Sequence, residues 1–265
     1  MSLLTGVQLR GIAAMDEVVH GEFADRIATL TLDSPANRNA LSTALTGQLT
    51  DLLDRAAADP RVRAVVLTHT GGTFCAGVDL TESRRLGTEQ ATERMLALIR
   101  RVLAHPQPVL AVLDGHARAG GVGILGACDI VIAGPRSSFA FSEVRLGLAP
   151  AIIALSTQHL LPPRWASQYL LTGQTFGAEE AARVGLVTTA APDPAQAAAA
   201  VLAELRACSP QGLTETKRLL VADRLAQFDA LSAQRQELSA RLFASPEAAE
   251  GMRAFAEKRP PEWAR

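Results

Sequence analysis

No Lys/Arg-rich block interrupts the 265 residues, and the formal net charge is only −1. A chain built to hold nucleic acid or an anionic membrane surface gathers positive charge on one face, so neither is expected as its main partner. Long apolar runs are missing as well: none approaches the roughly 20 residues of a membrane span. The opening stretch MSLLTGVQLR lacks the basic-then-apolar order of a secretory leader, which leaves the cytoplasm as the expected compartment. Cysteine is scarce. Cys75, Cys128 and Cys208 are odd in number and share no metal-ligand spacing. Neither a disulfide framework nor a metal site is expected, only buried or free thiols in a reducing compartment. No repeat of fixed period occurs. Apolar residues, by contrast, make up 48% of the chain, enough for one large domain or a domain with an appendage.

The chain changes character along its length. Residues 25–33, DRIATLTLD, alternate like a half-buried strand, and SPANRNA follows as a turn-rich loop. Over 42–58, Leu45, Leu49, Leu52, Leu53 and Ala56 fall on one face of a helix. VRAVVLTH (62–69) reads as a buried strand ended by Gly71-Gly72. Met95, Leu98, Ile99, Val102 and Leu103 mark a second amphipathic helix over 88–104, stopped by HPQP. PVLAVLDG (108–115) and DIVIAG (129–134) are further strands. Strand, loop and helix recur in the manner of an α/β fold. From about 193 the pattern is almost wholly helical. With no strand in that tail to cover, its apolar faces require the rest of the chain or another subunit. His69 and His105, near strand and helix ends, are expected to be structural.

Residues 119–130, AGGVGILGACDI, contain a literal G-x-G-x-x-G from Gly121 to Gly126, and Glu143 lies 20 residues after Gly123. This is the form of a dinucleotide fingerprint. The context disagrees. In that fold the strand runs straight into the first glycine, whereas here DGHARAG intervenes after Leu113. The match also sits in mid-chain, and Glu143 does not end an apolar strand. One alternative is glycine used only for close packing. Another fits better: Gly120-Gly121 stand where a loop enters a helix, and unpaired N–H groups at the positive end of the helix dipole stabilise an oxyanion.

An oxyanion hole needs a second donor, and VVLTHTGGTFCAGVDL (65–80) repeats the order strand, Gly-containing loop, helix. FCAGVDL and HARAGGVGILGACDI together resemble the enoyl-CoA hydratase/isomerase (crotonase) superfamily. SPANRNALS, FAFSEVRLGLAP, LTGQTFGAEEAARVGLV and MRAFAEKRPPEW continue the likeness in order over essentially the whole chain. The resemblance implies an α/β spiral of repeated ββα units over 1–192 and a helical oligomerisation region over 193–265. It implies a trimer or hexamer, and acyl-CoA as substrate, with coenzyme A entering as part of that substrate and no separate cofactor. The N–H groups matching the oxyanion hole are those of Val78 and Gly120. Ala36, Arg38, Ala40 and Ala76 match the positions that hold CoA. Phe255 and Lys258 match a C-terminal element that reaches a neighbour's site, with Arg38 and Lys258 as phosphate contacts.

The carboxylates depart from the two-glutamate pattern. The position three residues after the oxyanion glycine is Gly123, and only the second glutamate, Glu143, is retained. Apolar neighbours such as Phe141 and Val144 would raise its pKa and make it a usable acid or base; the alternative is an ion pair with Arg145. One carboxylate suffices to hydrate a 2-enoyl thioester if it both activates water and returns a proton to Cα. It also suffices for the Δ3-to-Δ2 isomerisation. Hydration is the expected reaction, isomerisation the second, and acyl-CoA binding without chemistry the reading of another class. Asp114, His116 and Arg118 are candidates for the missing polar group. A glutamate introduced at Gly123 would restore the absent carboxylate, provided the helix tolerates it. A nucleophilic carboxylate after the GLAP turn, as a dehalogenase needs, is absent: AIIA (151–154) stands there.

Overall fold

The structure is a computed structural model describing residues 16–264; the opening stretch read for a leader, and Arg265, lie outside the described residues. In chain order the strands are β1 (Val19–Ala24), β2 (Ile27–Leu32), β3 (Ala64–His69), β4 (Thr73–Cys75), β5 (Val109–Leu113), β6 (His116–Arg118), β7 (Ile130–Ala133), β8 (Ser138–Ala140), β9 (Phe176–Gly177) and β10 (Thr189–Ala190). The helices are α1 (Thr43–Ala58), α2 (Leu80–Leu86), α3 (Thr88–Leu103), α4 (Gly120–Ala127), α5 (Ala154–Thr157), α6 (Pro163–Thr172), α7 (Ala178–Arg183), α8 (Pro194–Ala207), α9 (Pro210–Phe243) and α10 (Pro246–Ala256).

Two sheets alternate along the chain. The larger has the order β1-β2-β3-β5-β7-β10 and the smaller β4-β6-β8-β9. Each of β3, β5 and β7 is followed within a few residues by a short strand of the smaller sheet, and then by a helix or helical turn. This is the spiral of ββα units that the family resemblance implied. The larger sheet is parallel apart from the β1–β2 hairpin. Asp25 and Arg26 turn that hairpin, both at positive φ (48° and 66°), as a two-residue connection matched to strand twist requires. The strand expected over 25–33 is therefore β2 with its turn.

Amphipathic spacing predicts the helices well. The five apolar residues whose spacing marks α3, Met95, Leu98, Ile99, Val102 and Leu103, are all buried, each contributing about 1.5–3 kcal/mol relative to exposure. Ser42 and Asp79 cap α1 and α2 with side-chain acceptors. For the first tail helix it is the rest of the chain that takes the apolar face. α8 covers strands there: Val201, Leu202 and Leu205 pack on Ile27, Ala64, Val66 and Leu110, the outer face of the larger sheet. The inner face carries Ala28, Leu30 and Val65 beneath α1 and α3. Burial on both faces explains why VRAVVLTH reads as a continuous apolar run. α9 is anchored by buried Lys217, whose Nζ lies 2.7 Å from Asp129 and donates to the Gln107 carbonyl. No described helix is long and apolar enough to cross a membrane.

Candidate active site

β4 and β6 pair in parallel, Cys75 opposite Ala117, so the loops leaving them emerge side by side. Both loops bend through left-handed backbone, with φ +92° at Gly77 and +46° at Ala119. A side chain at Gly77 would meet the Ala119 Cβ at 3.0 Å and the Gly120 nitrogen at 3.2 Å. Only glycine allows the loops to meet this closely. The Gly77 N–H donates to Cys75 Sγ at 3.4 Å, fixing the first loop from below. Among the described residues, the N–H groups of Val78 and Gly120 donate to no protein acceptor, and both residues line one large cavity. Gly120 opens the eight-residue α4, so its N–H carries the partial positive charge of a helix start.

The glycines of the dinucleotide-like motif do other work. A β-carbon at Gly121 would lie 2.4 Å from the Cys75 carbonyl oxygen, and one at Gly126 would lie 2.7 Å from that of Ser156. At Gly123 it would strike Ile153 Cγ2 at 2.8 Å and Ile99 Cδ1 at 2.9 Å. All three serve close packing, and the short strand β6 explains the residues between Leu113 and the motif. Gly123 also answers whether a second carboxylate could stand there: Ile153 and Ile99 occupy that space.

Glu143 lies on a 3₁₀ turn over Ser142–Leu146, at the cavity wall. The residue as a whole is half-buried, but its Oε2 is sealed from solvent and finds no hydrogen-bond partner. Arg145 does not pair with it; its Nε donates to the Thr172 carbonyl. Burial pushes the Glu143 carboxyl up to about 7, although its own backbone N–H pulls the other way. The one other acid among the described residues that lines the cavity, Asp79, is engaged. It caps α2 through Thr81 and Glu82, and accepts from Asn37 Nδ2. α10 is laid directly over the Glu143 turn: a β-carbon at Gly147 would sit 2.6 Å from the Glu247 backbone, and one at Gly251 would sit 2.5 Å from that of Leu146.

The cavity has a volume of about 850 Å³. Ala36, Arg38, Ala40 and Ala76 line it, and the Ala76 N–H donates to the Arg38 carbonyl at 3.1 Å. The loop is locked by Asn39, a residue the sequence reading did not single out. Fully buried, Asn39 accepts from the Ser34 N–H and donates to the carbonyls of Thr70 and Thr73. Its left-handed φ of 52° is a conformation that asparagine tolerates. Met95, Ile152 and Ile153 form an apolar wall, also unforeseen.

The three polar auxiliaries separate. Arg118 lines the cavity, its Nη1 donating to the Ser138 carbonyl and its Nη2 to the Ser138 hydroxyl. Asp114 pairs instead with Arg136 at 2.8 Å, and exposed His116 hydrogen-bonds Ser138. Neither lines the cavity; Arg118 stands at the end of β6 that runs into the Gly120 loop, and His116 at the other end. Lys258 is exposed and likewise off its own chain's cavity. Phe255 lines the cavity of its own chain, because α10 folds back over the Glu143 turn. His69 and His105 are structural. Nε2 of His69 accepts from the Asp114 N–H, and buried His105 bridges the Leu53 and Gln107 carbonyls.

A family model described as enoyl-CoA hydratase/isomerase matches residues 22–265. The 2,3-dehydroadipyl-CoA hydratase of Escherichia coli is 32% identical over 90% of this chain and 95% of its own length. Enoyl-CoA hydratase EchA19 of Mycobacterium tuberculosis is 34% identical, covering 88% and 91%. The crystal structure of an enoyl-CoA hydratase from Mycobacterium avium superposes with a TM-score of 0.88 at 49% identity, covering 94% of this chain and all of that one. Matched over nearly its full length in both sequence and fold, the chain belongs to the enoyl-CoA hydratase/isomerase family.

Proposed function

We propose that the chain is an enoyl-CoA hydratase in which Glu143 alone carries the proton. The observation that carries this reading is the Glu143 carboxylate, desolvated and with its Oε2 unpartnered, on a cavity whose one other acid among the described residues is engaged in capping. Water adds through its oxygen to C3 of the 2-enoyl thioester, while one of its protons passes to Glu143. The resulting enolate has its charge on the thioester oxygen, where the Val78 and Gly120 N–H groups donate. Losing one such donor typically raises a barrier by about 3 kcal/mol. The protonated Glu143 then delivers its proton to C2, which restores the carboxylate. A group titrating near neutrality suits both halves of this cycle.

Ala36, Arg38, Ala40 and Ala76 hold the CoA portion, mostly through main chain, with Arg38 toward a phosphate. No further cofactor is needed. Exposed Leu171, Leu219 and Leu220 support assembly with other copies as a trimer or hexamer, in which Lys258 serves a neighbouring site. Light scattering that finds only monomer at micromolar concentration removes both assignments. The cytoplasm is the compartment that fits.

Proton transfer between C4 and C2 is the second reading, favoured by the packed Gly123, which leaves no second carboxylate to hold water. Turnover of matched 2-enoyl- and 3-enoyl-CoA substrates decides between them. Hydration requires product from the 2-enoyl member, with kcat/KM falling as pH drops through about 7. Turnover of the 3-enoyl member alone makes the chain an isomerase, and turnover of neither leaves a binding protein.

A further inference from the structure

α3 packs on the start of α4. A β-carbon at Gly123 would strike Ile99 Cδ1 at 2.9 Å, and one at Gly120 would lie 2.6 Å from Met95 Sδ and 3.0 Å from Leu41 Cδ1. Met95 and Ile99 are four apart on one helix, and Gly120 and Gly123 three apart on the other, so one face of α3 lies along one face of α4. Leu41 and Ile99 are buried in the core and do not line the cavity. Met95 lines it while only 7% exposed. Of the side chains against Gly120 it is therefore the one that a bound molecule meets.

The thioester oxygen accepts from the Gly120 N–H at about 2.9 Å. Carbon C2 of the acyl group is two bonds from that oxygen, which brings it close to the sulfur resting on the Gly120 α-carbon. The wall on this side suits an acyl group. From α3, the α5 lead-in and α9 it takes Thr92, Met95, Ile152, Ile153, Ser239 and Phe243, none of them charged. The Thr92 hydroxyl is taken by the Thr88 and Glu89 carbonyls. The charged residues lining the cavity stand elsewhere: in the loop before α1, at the cap of α2, on β6, on the Glu143 turn and beyond α10. Interiors are packed about as densely as organic crystals, so a methyl group added where the Met95 thioether already lies has no room unless that side chain leaves.

We propose that Met95 is a specificity-determining residue that closes the space beside C2 of the acyl group, so that the preferred substrates are 2-enoyl-CoA thioesters unbranched at C2. This rests on the hydratase reading for its chemistry but not for its binding. The test compares but-2-enoyl-CoA with 2-methylbut-2-enoyl-CoA, using the full chain. Wild type is expected to favour the unbranched member by tenfold or more in kcat/KM, the discrimination one methyl group gives in an apolar pocket. A methyl group also slows addition to the double bond by itself, but that factor is common to all variants, so the change in the ratio is the readout. Met95→Ala should lower the ratio about tenfold from its wild-type value and Met95→Val about threefold. Met95→Leu, of similar volume, should leave it within about twofold. A misfolded fraction lowers both rates alike and does not move the ratio. Calorimetry with butanoyl-CoA and 2-methylbutanoyl-CoA separates the two claims. If neither enoyl substrate turns over but Met95→Ala still gains about tenfold in relative affinity for the branched analogue, the role of Met95 stands and the hydratase reading falls. A ratio that Met95→Ala and Met95→Val leave unchanged, in turnover and in binding, overturns the proposal. So does a Met95→Leu variant that shifts the ratio as far as Met95→Ala, because the volume beside Gly120 would then not be what selects the substrate.

Discussion

Glu143 and Glu250 stand on elements packed against each other, and the fold treats them in opposite ways. Glu143 is given no counter-charge, and burial pushes it up to about 7. Glu250 is buried on α10 and clamped by Arg259 and Arg253, with the Glu262 N–H as a further donor. Those hydrogen bonds, Arg259 first, hold it down near 2. Both carboxylates have lost water; only one has been given a replacement. The difference separates a group kept ready to exchange a proton from one kept permanently charged to hold a helix in place.

The largest expected effect breaks the reactive member of the pair. Glu143→Gln keeps the shape and removes the titration. We expect kcat to fall at least about 100-fold, the lower range for a lost general acid–base group, with CoA affinity little changed. Stopped-flow turnover and CoA calorimetry measure the two quantities. Activity that survives would assign the proton to Arg118's surroundings or to bound water and would end the single-carboxylate mechanism.

Gly123→Glu tests whether the asymmetry between the carboxylates can be undone. Sequence alone offers this position as a vacancy for a second acid. Packing against Ile153 and Ile99 closes it, so the substitution both overpacks the core and buries a charge. Overpacking alone costs about 1–3 kcal/mol. Denaturant unfolding should show a loss in at least that range, and Ile153→Ala in the same chain should recover part of it. A stable, unperturbed Gly123→Glu protein would mean that the α4–α5 contact is looser than described.

This position also marks what the sequence could and could not disclose. Met95, Leu98, Ile99, Val102 and Leu103 announce α3 because helical burial repeats every three or four residues. Glu143, Val78 and Gly120 could be singled out because the resemblance to the family's motifs carries them. β4, β6 and β8 are three residues each, too short for an alternating pattern to register. The smaller sheet, and with it the reason for DGHARAG, was therefore illegible. So was the destination of side chains in that segment. Asp114, His116 and Arg118 are equally polar neighbours in sequence, and only the strand's direction sends Arg118 alone to the cavity. Ser239, Phe243 and Ile152 reach the cavity from distant parts of the chain, with no local signature at all.

A smaller effect concerns the stability cost of keeping Glu143 unpaired. Its folded pKa lies above the ordinary carboxylate value of 4.5. Below about pH 4.5 the group is neutral in folded and unfolded chains, and the protein has its full stability. As pH rises, the unfolded chain ionises first, and stability is lost until the folded group ionises near 7. Partial exposure discounts the shift, leaving about 1–3 kcal/mol. The apo Glu143→Gln variant should therefore match wild type near pH 4.5 and exceed it by that amount at pH 8. Urea midpoints at the two pH values provide the measurement, and a constant difference between them would deny the desolvation.

The smallest effect belongs to the clamped partner and carries the opposite sign. With its folded pKa near 2, Glu250 contributes stability that is fully present above about pH 4.5 and disappears as pH falls toward 2. Glu250→Gln should loosen α10 at pH 7, because Arg253 and Arg259 then surround a neutral amide. Solvent reaches the arginine side of this cluster, so the loss is expected to be local. Faster amide exchange over Pro246–Ala256 is its signature, with the global unfolding midpoint nearly unchanged. The consequence for Glu143 is what sharpens the comparison. α10 covers the turn that carries it, so a looser α10 admits water and lets the Glu143 carboxyl fall back toward 4.5. The limb in kcat/KM expected near pH 7 should then move to lower pH in Glu250→Gln. A limb that stays in place while α10 exchanges faster would mean that the Glu143 pocket is kept dry by Phe141 and its neighbours without help from the helix above.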